Sequence, residues 1–164
     1  MPITADLPAT DTDILITRVL NAPRELVFRT FTEPAHLARW WLPPGFTNTA
    51  CEIDLRVGGR FHLTMRSPDG RDYPCDGEYL EITPPERLVY LGTGADDHPC
   101  GAGLPPRGRV TVIFADQAGK TRLTIRASFN SESLREAARA AGFESSWNGT
   151  LDAFAGYLEG LGNY

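Results

Sequence analysis

The sequence predicts an α+β fold in which a curved, seven-stranded antiparallel sheet wraps a long C-terminal helix, with two short helices after the first strand. Three observations carry this expectation. Between Phe46 and Phe129 apolar residues alternate with polar ones and turn residues recur every eight to fifteen positions or so, the pattern of an antiparallel meander. Trp147, Leu151, Phe154, Leu158 and Leu161 step by four, three, four and three, which draws one apolar stripe along a helix from about Glu144 to Leu161. The strand connections are too short for the crossovers of a parallel sheet. A sheet curved around a single helix leaves room for a cavity between them.

The elements follow in order. Ile14 to Leu20 is rich in Ile, Leu and Val and ends at Asn21-Ala22-Pro23, a strand followed by a helix with Pro23 at its first position. That helix reaches about Phe31, with Leu26, Val27 and Phe31 at helical spacing. Thr32 is expected to cap a second short helix whose first turn holds Glu33 and Pro34 and whose apolar end is Leu37, Trp40 and Trp41. Pro43-Pro44-Gly45 stops it. Six strands are expected at Phe46 to Leu55, Arg60 to Arg66, Tyr73 to Ile82, Arg87 to Gly92, Arg107 to Ala115 and Thr121 to Phe129. In the second of these Phe61, Leu63 and Met65 share one face and Arg60, His62, Thr64 and Arg66 the other. Thr93 to Pro106, rich in Gly and Pro, is expected to be an exposed, mobile loop. Ser133-Leu134-Arg135-Glu136 matches a capping box that opens a short Ala-rich helix ended by Gly142. Gly149 and Gly156 cost the last helix ~1 kcal/mol each relative to Ala, an expense that close approach of sheet backbone or ligand would explain.

Composition bounds the function. With 164 residues, 41% of them hydrophobic, the chain is expected to form a single domain over 13–164, preceded by a flexible segment over 1–12, with a core that needs neither disulfides nor metal. The net charge of -5 is scattered along the chain, which argues against electrostatic binding to nucleic acid or an anionic membrane. No apolar run is long enough to span a bilayer, and the opening residues, with Asp6, Asp11 and Asp13, are unlike a secretory signal. A soluble, cytoplasmic protein is expected. Cys51, Cys75 and Cys100 form no Cys-x-x-Cys pair and are read as reduced thiols. His98 and Cys100 lack a third ligand nearby, so no metal is expected. The sequence carries no dinucleotide, P-loop, serine-hydrolase or zinc-protease motif, and no cofactor is expected.

A set of motifs is recognisable in combination: Asn21-Ala22-Pro23-Arg24-Glu25-Leu26-Val27-Phe28, Trp40-Trp41-Leu42-Pro43-Pro44-Gly45-Phe46, Asp54-Leu55-Arg56-Val57-Gly58-Gly59-Arg60-Phe61, Pro68-Asp69-Gly70, Gly77-Glu78-Tyr79 and Pro85-Glu86-Arg87-Leu88-Val89-Tyr90. Over roughly Asp13 to Leu161 the chain resembles the family of small proteins similar to the C-terminal domain of the activator of heat-shock-protein-90 ATPase. That family lies within the birch-pollen-allergen-like, lipid-transfer-like helix-grip superfamily. The resemblance implies a helix-grip fold and a hydrophobic-ligand binder or stress-associated module, and it transfers no catalytic residue, because the matching motifs are turns and packing positions.

Aromatic residues are the material for a binding site. The candidate cavity residues are Trp41, Phe46, Phe61, Leu63, Met65, Tyr79, Tyr90, Trp147 and Leu151, an apolar lining in which phenols and indoles orient a ligand. Trp40 and Trp41 cannot both face inward, so one of them belongs at the rim or surface. His36 is expected in an exposed turn and His62 on the outer face of the sheet, both away from catalysis. The favoured function is non-catalytic binding of a small hydrophobic or aromatic ligand between sheet and C-terminal helix. One alternative, suggested by the resemblance, is a chaperone-associated protein-interaction module with a chaperone as its partner. Another is a hydratase or cyclase-like enzyme on the same scaffold, which requires an acid or imidazole lining the pocket.

Overall fold

Alternating burial sets the strands and helical spacing sets the helices of the computed structural model, which describes residues 12–40, 45–92, 109–129, 131–140 and 143–161. Trp41, the Pro43-Pro44 stop, the Thr93 to Pro106 loop with His98 and Cys100, Gly142 and residues 1–11 lie outside the described residues. The chain runs through β1 (Asp13–Leu20), α1 (Arg24–Thr32), α2 (Pro34–Trp40), β2 (Thr47–Ile53), β3 (Arg60–Arg66), β4 (Asp72–Thr83), β5 (Arg87–Gly92), β6 (Arg109–Gln117), β7 (Lys120–Ser128), α3 (Glu132–Ala140) and α4 (Phe143–Leu161). The seven strands form one antiparallel sheet in the order β1-β7-β6-β5-β4-β3-β2. Its first strand therefore pairs with its last, from Asp13 opposite Ser128 to Leu20 opposite Thr121.

One face of the sheet is apolar. Ile14, Ile16 and Leu20 of β1, Phe61, Leu63 and Met65 of β3, Val110, Val112 and Phe114 of β6 and Leu123, Ile125 and Ala127 of β7 are all buried in a common core. Register shifts between Asn48 and Ala50 in β2 and between Tyr79 and Glu81 in β4 are bulges, which bend and twist the strands that carry them. The β2–β3 connection is tight. A side chain on Gly59 would bring its Cβ within 2.2 Å of the Asp54 carbonyl oxygen, so only glycine fits there. The freed space lets Gly58 N–H donate to the Tyr79 carbonyl at 2.9 Å and Tyr79 N–H to that of Gly59 at 2.9 Å.

Helix boundaries correct three expectations. Pro23 precedes α1 in extended conformation, φ -67° and ψ 150°, and its carbonyl accepts from Leu26 and Val27 N–H. Thr32 does not cap α2. It is the last residue of α1, buried, and its hydroxyl donates back to the Phe28 carbonyl at 2.9 Å, a bond open to a threonine inside a helix. The carbonyl of Glu33 instead receives the first amides of α2, His36 and Leu37. The cap of α3 is Ser131, whose hydroxyl accepts from Leu134 N–H at 3.1 Å. Ser133 lies within the helix, because capping at Ser131 puts Glu132 in the first turn, where the helix dipole favours an acid.

The stripe of α4 packs as its spacing requires: Trp147, Leu151, Phe154 and Leu158 are buried, and Leu161, at the helix end, is exposed. Arg18, on the inward face of β1 between Ile16 and Leu20, reaches the same helix. Its guanidinium lies 2.9 Å from the Asp152 carboxylate and donates to the Asn148 carbonyl at 3.5 Å. Gly156 shows no close approach: a Cβ there meets nothing within 4 Å, so the expense expected at this position has no packing return. Gly156→Ala should therefore stabilise the protein by about 0.5–1 kcal/mol, read as a higher midpoint in urea. An unchanged or lower midpoint would mean that the open space is used.

Candidate functional site

The two short helices cross the sheet, α1 packing on β6 and β7 and α2 on β2, and are tied down by aromatic rings. Trp40, the buried member of the Trp40–Trp41 pair, donates its indole N–H to the Thr30 carbonyl at 2.7 Å. Its ring stacks on Phe154 of α4 with centroids 3.9 Å apart and planes at 16°. Phe31 meets Trp40 at 5.0 Å, Phe114 at 5.7 Å and Phe154 at 6.0 Å. Edge-to-face and offset contacts of this kind add about 0.5–1.5 kcal/mol each to the area they bury.

Beneath these helices β3, β4 and β5 bring a second aromatic group together. Phe61 lies 5.2 Å from Tyr79 and 5.3 Å from Tyr90, the latter at 90°. Gly77, directly across from Phe61 on β4, makes this possible, since a Cβ at that position would fall 2.2 Å from the tip of the Phe61 ring. The two groups flank a partly open cavity of about 10 Å³, lined by Phe31, Leu37, Phe61, Leu63, Tyr79, Leu88 and Tyr90, which is room for one water molecule; its lining comes from α1, α2 and the sheet, not from the C-terminal helix expected to form one wall.

Of the residues expected to form the cavity, Phe61, Leu63, Tyr79 and Tyr90 line it. Met65, Trp147 and Leu151 are buried in the core without lining it, and Phe46 packs half-buried against the core. Trp41 is outside the described residues. Phe31, Leu37 and Leu88 complete the lining; the helical spacing of Phe31 and Leu37 marks them as inward-facing but does not say which neighbours they meet.

The chemistry of this lining is apolar with neutral phenols. Burial raises the Tyr79 phenol well above its usual range, and the Cys51 thiol adds to the shift. Burial likewise raises Tyr90, with Tyr79 contributing. Cys51, half-buried on β2 opposite Leu63, is also raised by burial and stays a neutral thiol at pH 7. The cyclase-like alternative needs an acid or imidazole here, and none of the seven lining residues is one. Both described histidines are elsewhere. His62 is on the outer face as expected, with Nδ1 on the Asp76 carboxylate and Nε2 3.2 Å from the Thr64 hydroxyl. His36 is not in an exposed turn: its side chain is 22% accessible and its Nδ1 lies 2.6 Å from the Tyr157 hydroxyl of α4. That contact spans 121 positions of sequence, which is why local pattern missed it. Among the described residues no group of three or more His, Cys, Asp or Glu is placed to hold a metal ion.

The family model for activator of Hsp90 ATPase homolog 1-like proteins matches residues 21–159. The chain belongs to this family. Solved relatives of the activator of Hsp90 ATPase homolog 1-like fold agree. A crystal structure of a Nitrosomonas europaea protein superposes with a TM-score of 0.83 at 27% identity, covering 96% of this chain and 100% of that one. A Chromobacterium violaceum protein gives 0.71 at 30% identity over 92% and 99%. The solution structure of an Aeromonas hydrophila protein of the same family gives 0.72 at 26% identity over 92% and 94%. No curated protein matches the chain. The activator-like, helix-grip architecture expected from the sequence is thus the architecture of the chain, and no helix among the described residues is long and apolar enough to cross a membrane.

Two outcomes follow from this site. Gly77→Ala should destabilise the protein by about 1–3 kcal/mol, the usual range for overpacking, in urea unfolding; a loss near zero would mean that Phe61 swings into the cavity without strain. The raised phenols also give a pH dependence. A group whose folded pKa is raised contributes stability that is whole below its unfolded pKa, about 10 for Tyr, and that is lost as pH climbs beyond it. An ultraviolet absorbance titration should show Tyr79 and Tyr90 ionising only together with unfolding, and Tyr79→Phe should remove one of those two ionisations.

Proposed function

We propose that the protein is a non-catalytic binder of a small hydrophobic or aromatic molecule, held between the sheet and the α1–α2 pair. The observation that supports this is the lining itself, in which apolar side chains and two neutral phenols converge on one void. A ligand larger than water requires this void to grow. The way in is on the β2 side, where the inward residues Cys51 and Ile53, and Phe46 beside them, are only half-buried. There α2, of seven residues, covers the sheet, tied to α4 by the Trp40–Phe154 stack and the His36–Tyr157 contact. A reduced Cys51 and a cytoplasmic setting accord with this reading.

The small size of the void favours one other reading. A nearly filled interior and a family named for Hsp90 ATPase activation fit a protein-interaction module whose outer surface is the working part.

Thermal melts with indole, 2-naphthol and decanoate, beside native mass spectrometry of the purified protein, separate the two. Binding to the native state alone raises stability, by about 2.7 kcal/mol at a hundredfold excess over Kd. Leu88→Ala, which removes a buried wall of the void, should cost about 2–5 kcal/mol and should be rescued more strongly by indole than the wild type is. Silence of both proteins towards all three probes, with stimulation of an Hsp90 ATPase by the wild type, would replace the first reading by the second.

A further inference from the structure

The strand β1 is an edge of the sheet, and three features of it bear on what can pair there. Its main-chain phase is set by Thr12, whose carbonyl accepts from Phe129 N–H at 2.8 Å. By strand alternation Ile14, Ile16, Arg18 and Leu20 direct their amides and carbonyls at β7, whereas Leu15, Thr17 and Val19 direct theirs away from the sheet. The side chains of these same three residues stand on the outer face, exposed, with Leu15 38% and Val19 46% accessible.

Among the described residues the usual protections of an edge are missing. Over Asp13–Leu20 there is no proline, no lysine and no bulge, since the register with β7 is continuous. The one charge that faces inward, Arg18, is engaged by Asp152.

We infer that β1 is a pairing edge for a second copy of this chain, joined antiparallel across a two-fold axis at Thr17. The register selects itself. With Thr17 opposite Thr17 of the partner subunit, Leu15 stands opposite the partner's Val19 and Val19 opposite the partner's Leu15. Both exposed apolar side chains of each strand then gain an apolar neighbour, and the outward main-chain groups of all three residues pair. Shifting the register by two residues in one direction sets Val19 against the partner's Asp13, and in the other sets Leu15 against the partner's Asn21, so the apolar pairs are lost in both. Charge on the other face is balanced within each protomer. The two-fold axis sets Arg18 diagonally across from the partner's Arg18, and each guanidinium is offset by its own Asp152, which at 74% accessible retains acceptor capacity for a second guanidinium. The interface is one strand wide, which places it at the weak, reversible end of specific association.

Sedimentation velocity on the full, reduced chain from about 1 to about 500 µM should show a concentration-dependent monomer–dimer equilibrium. Val19→Lys should raise the dimer dissociation constant about tenfold or more while leaving the melting temperature at the lowest concentration unchanged. Thr17→Cys should, on mild oxidation, yield a covalent dimer whose digest contains a peptide joined to itself at position 17, because facing Cα atoms in such a pair are about 5.5 Å apart, within disulfide reach. A chain that stays monomeric over the whole range, a dimer indifferent to Val19→Lys, or a position-17 variant that forms no such peptide would overturn the inference.

Discussion

The stack of Trp40 on Phe154 holds the architecture together, because it joins the two parts of the fold that the sheet alone does not position. A sheet with one apolar face needs a cover, and here the cover comes in separate pieces: α1 and α2 from near the start of the chain and α4 from its end. Trp40 touches all of them. Its indole N–H bonds the Thr30 carbonyl in α1, its ring lies on Phe154 of α4, and Phe31 closes against both. The hydrogen bond matters as much as the stacking, since a buried indole N–H left without an acceptor would lose about 1–3 kcal/mol. With these three groups in place, Leu37 and Phe31 have no choice but to look down on β3 to β5, and the small cavity lies where they meet the sheet.

That arrangement also divides the sheet unevenly. On the β1 side α4 is close, and Arg18 reaches it through Asp152 and Asn148. On the β2 side the cover among the described residues is α2, and the inward residues of β2 are half-buried. The bulge between Asn48 and Ala50 curls β2, and the close-packed turn at Gly59 fixes where β3 begins. An uneven cover of this kind separates a well-packed end from one whose apolar surface is still partly in water, and the loosely covered end is the one a ligand can reach.

Much of the fold was legible in the residues. The alternation of Phe61, Leu63 and Met65 with Arg60, His62 and Thr64, and the stripe from Trp147 to Leu158, are local patterns with a single structural solution. Strand ends were less so. β4 extends to Thr83 and β6 to Gln117, because pairing with neighbours, rather than local composition, decides where a ladder stops. Cap choice failed at Thr32 because its hydroxyl is used inside α1, on the Phe28 carbonyl, and at Ser133 because Ser131, two positions earlier, satisfies the same local rule. The site was legible as an aromatic set but not as a geometry. Sequence could say that Phe61, Tyr79 and Tyr90 face inward. It could not say that Gly77 lies under Phe61, that Trp40 rather than another ring fills the space beneath α4, or that the void left over is the size of one water, since each is a contact between distant segments.

The pairing of β1 with β7 has a consequence for synthesis. Leu20 lies opposite Thr121, a residue made 101 positions later, so the first strand leaves the ribosome with no partner and must wait, at about 5–20 residues per second, for roughly 5–20 s. During that interval Ile14, Ile16 and Leu20 are in water. The helices α1 and α2 are in the same position, because the ring on which Trp40 rests arrives only with the last twenty or so residues of the chain. A nascent chain with this topology is a long-lived display of unpaired apolar segments, and its folding is completed only once α4 has left the ribosome.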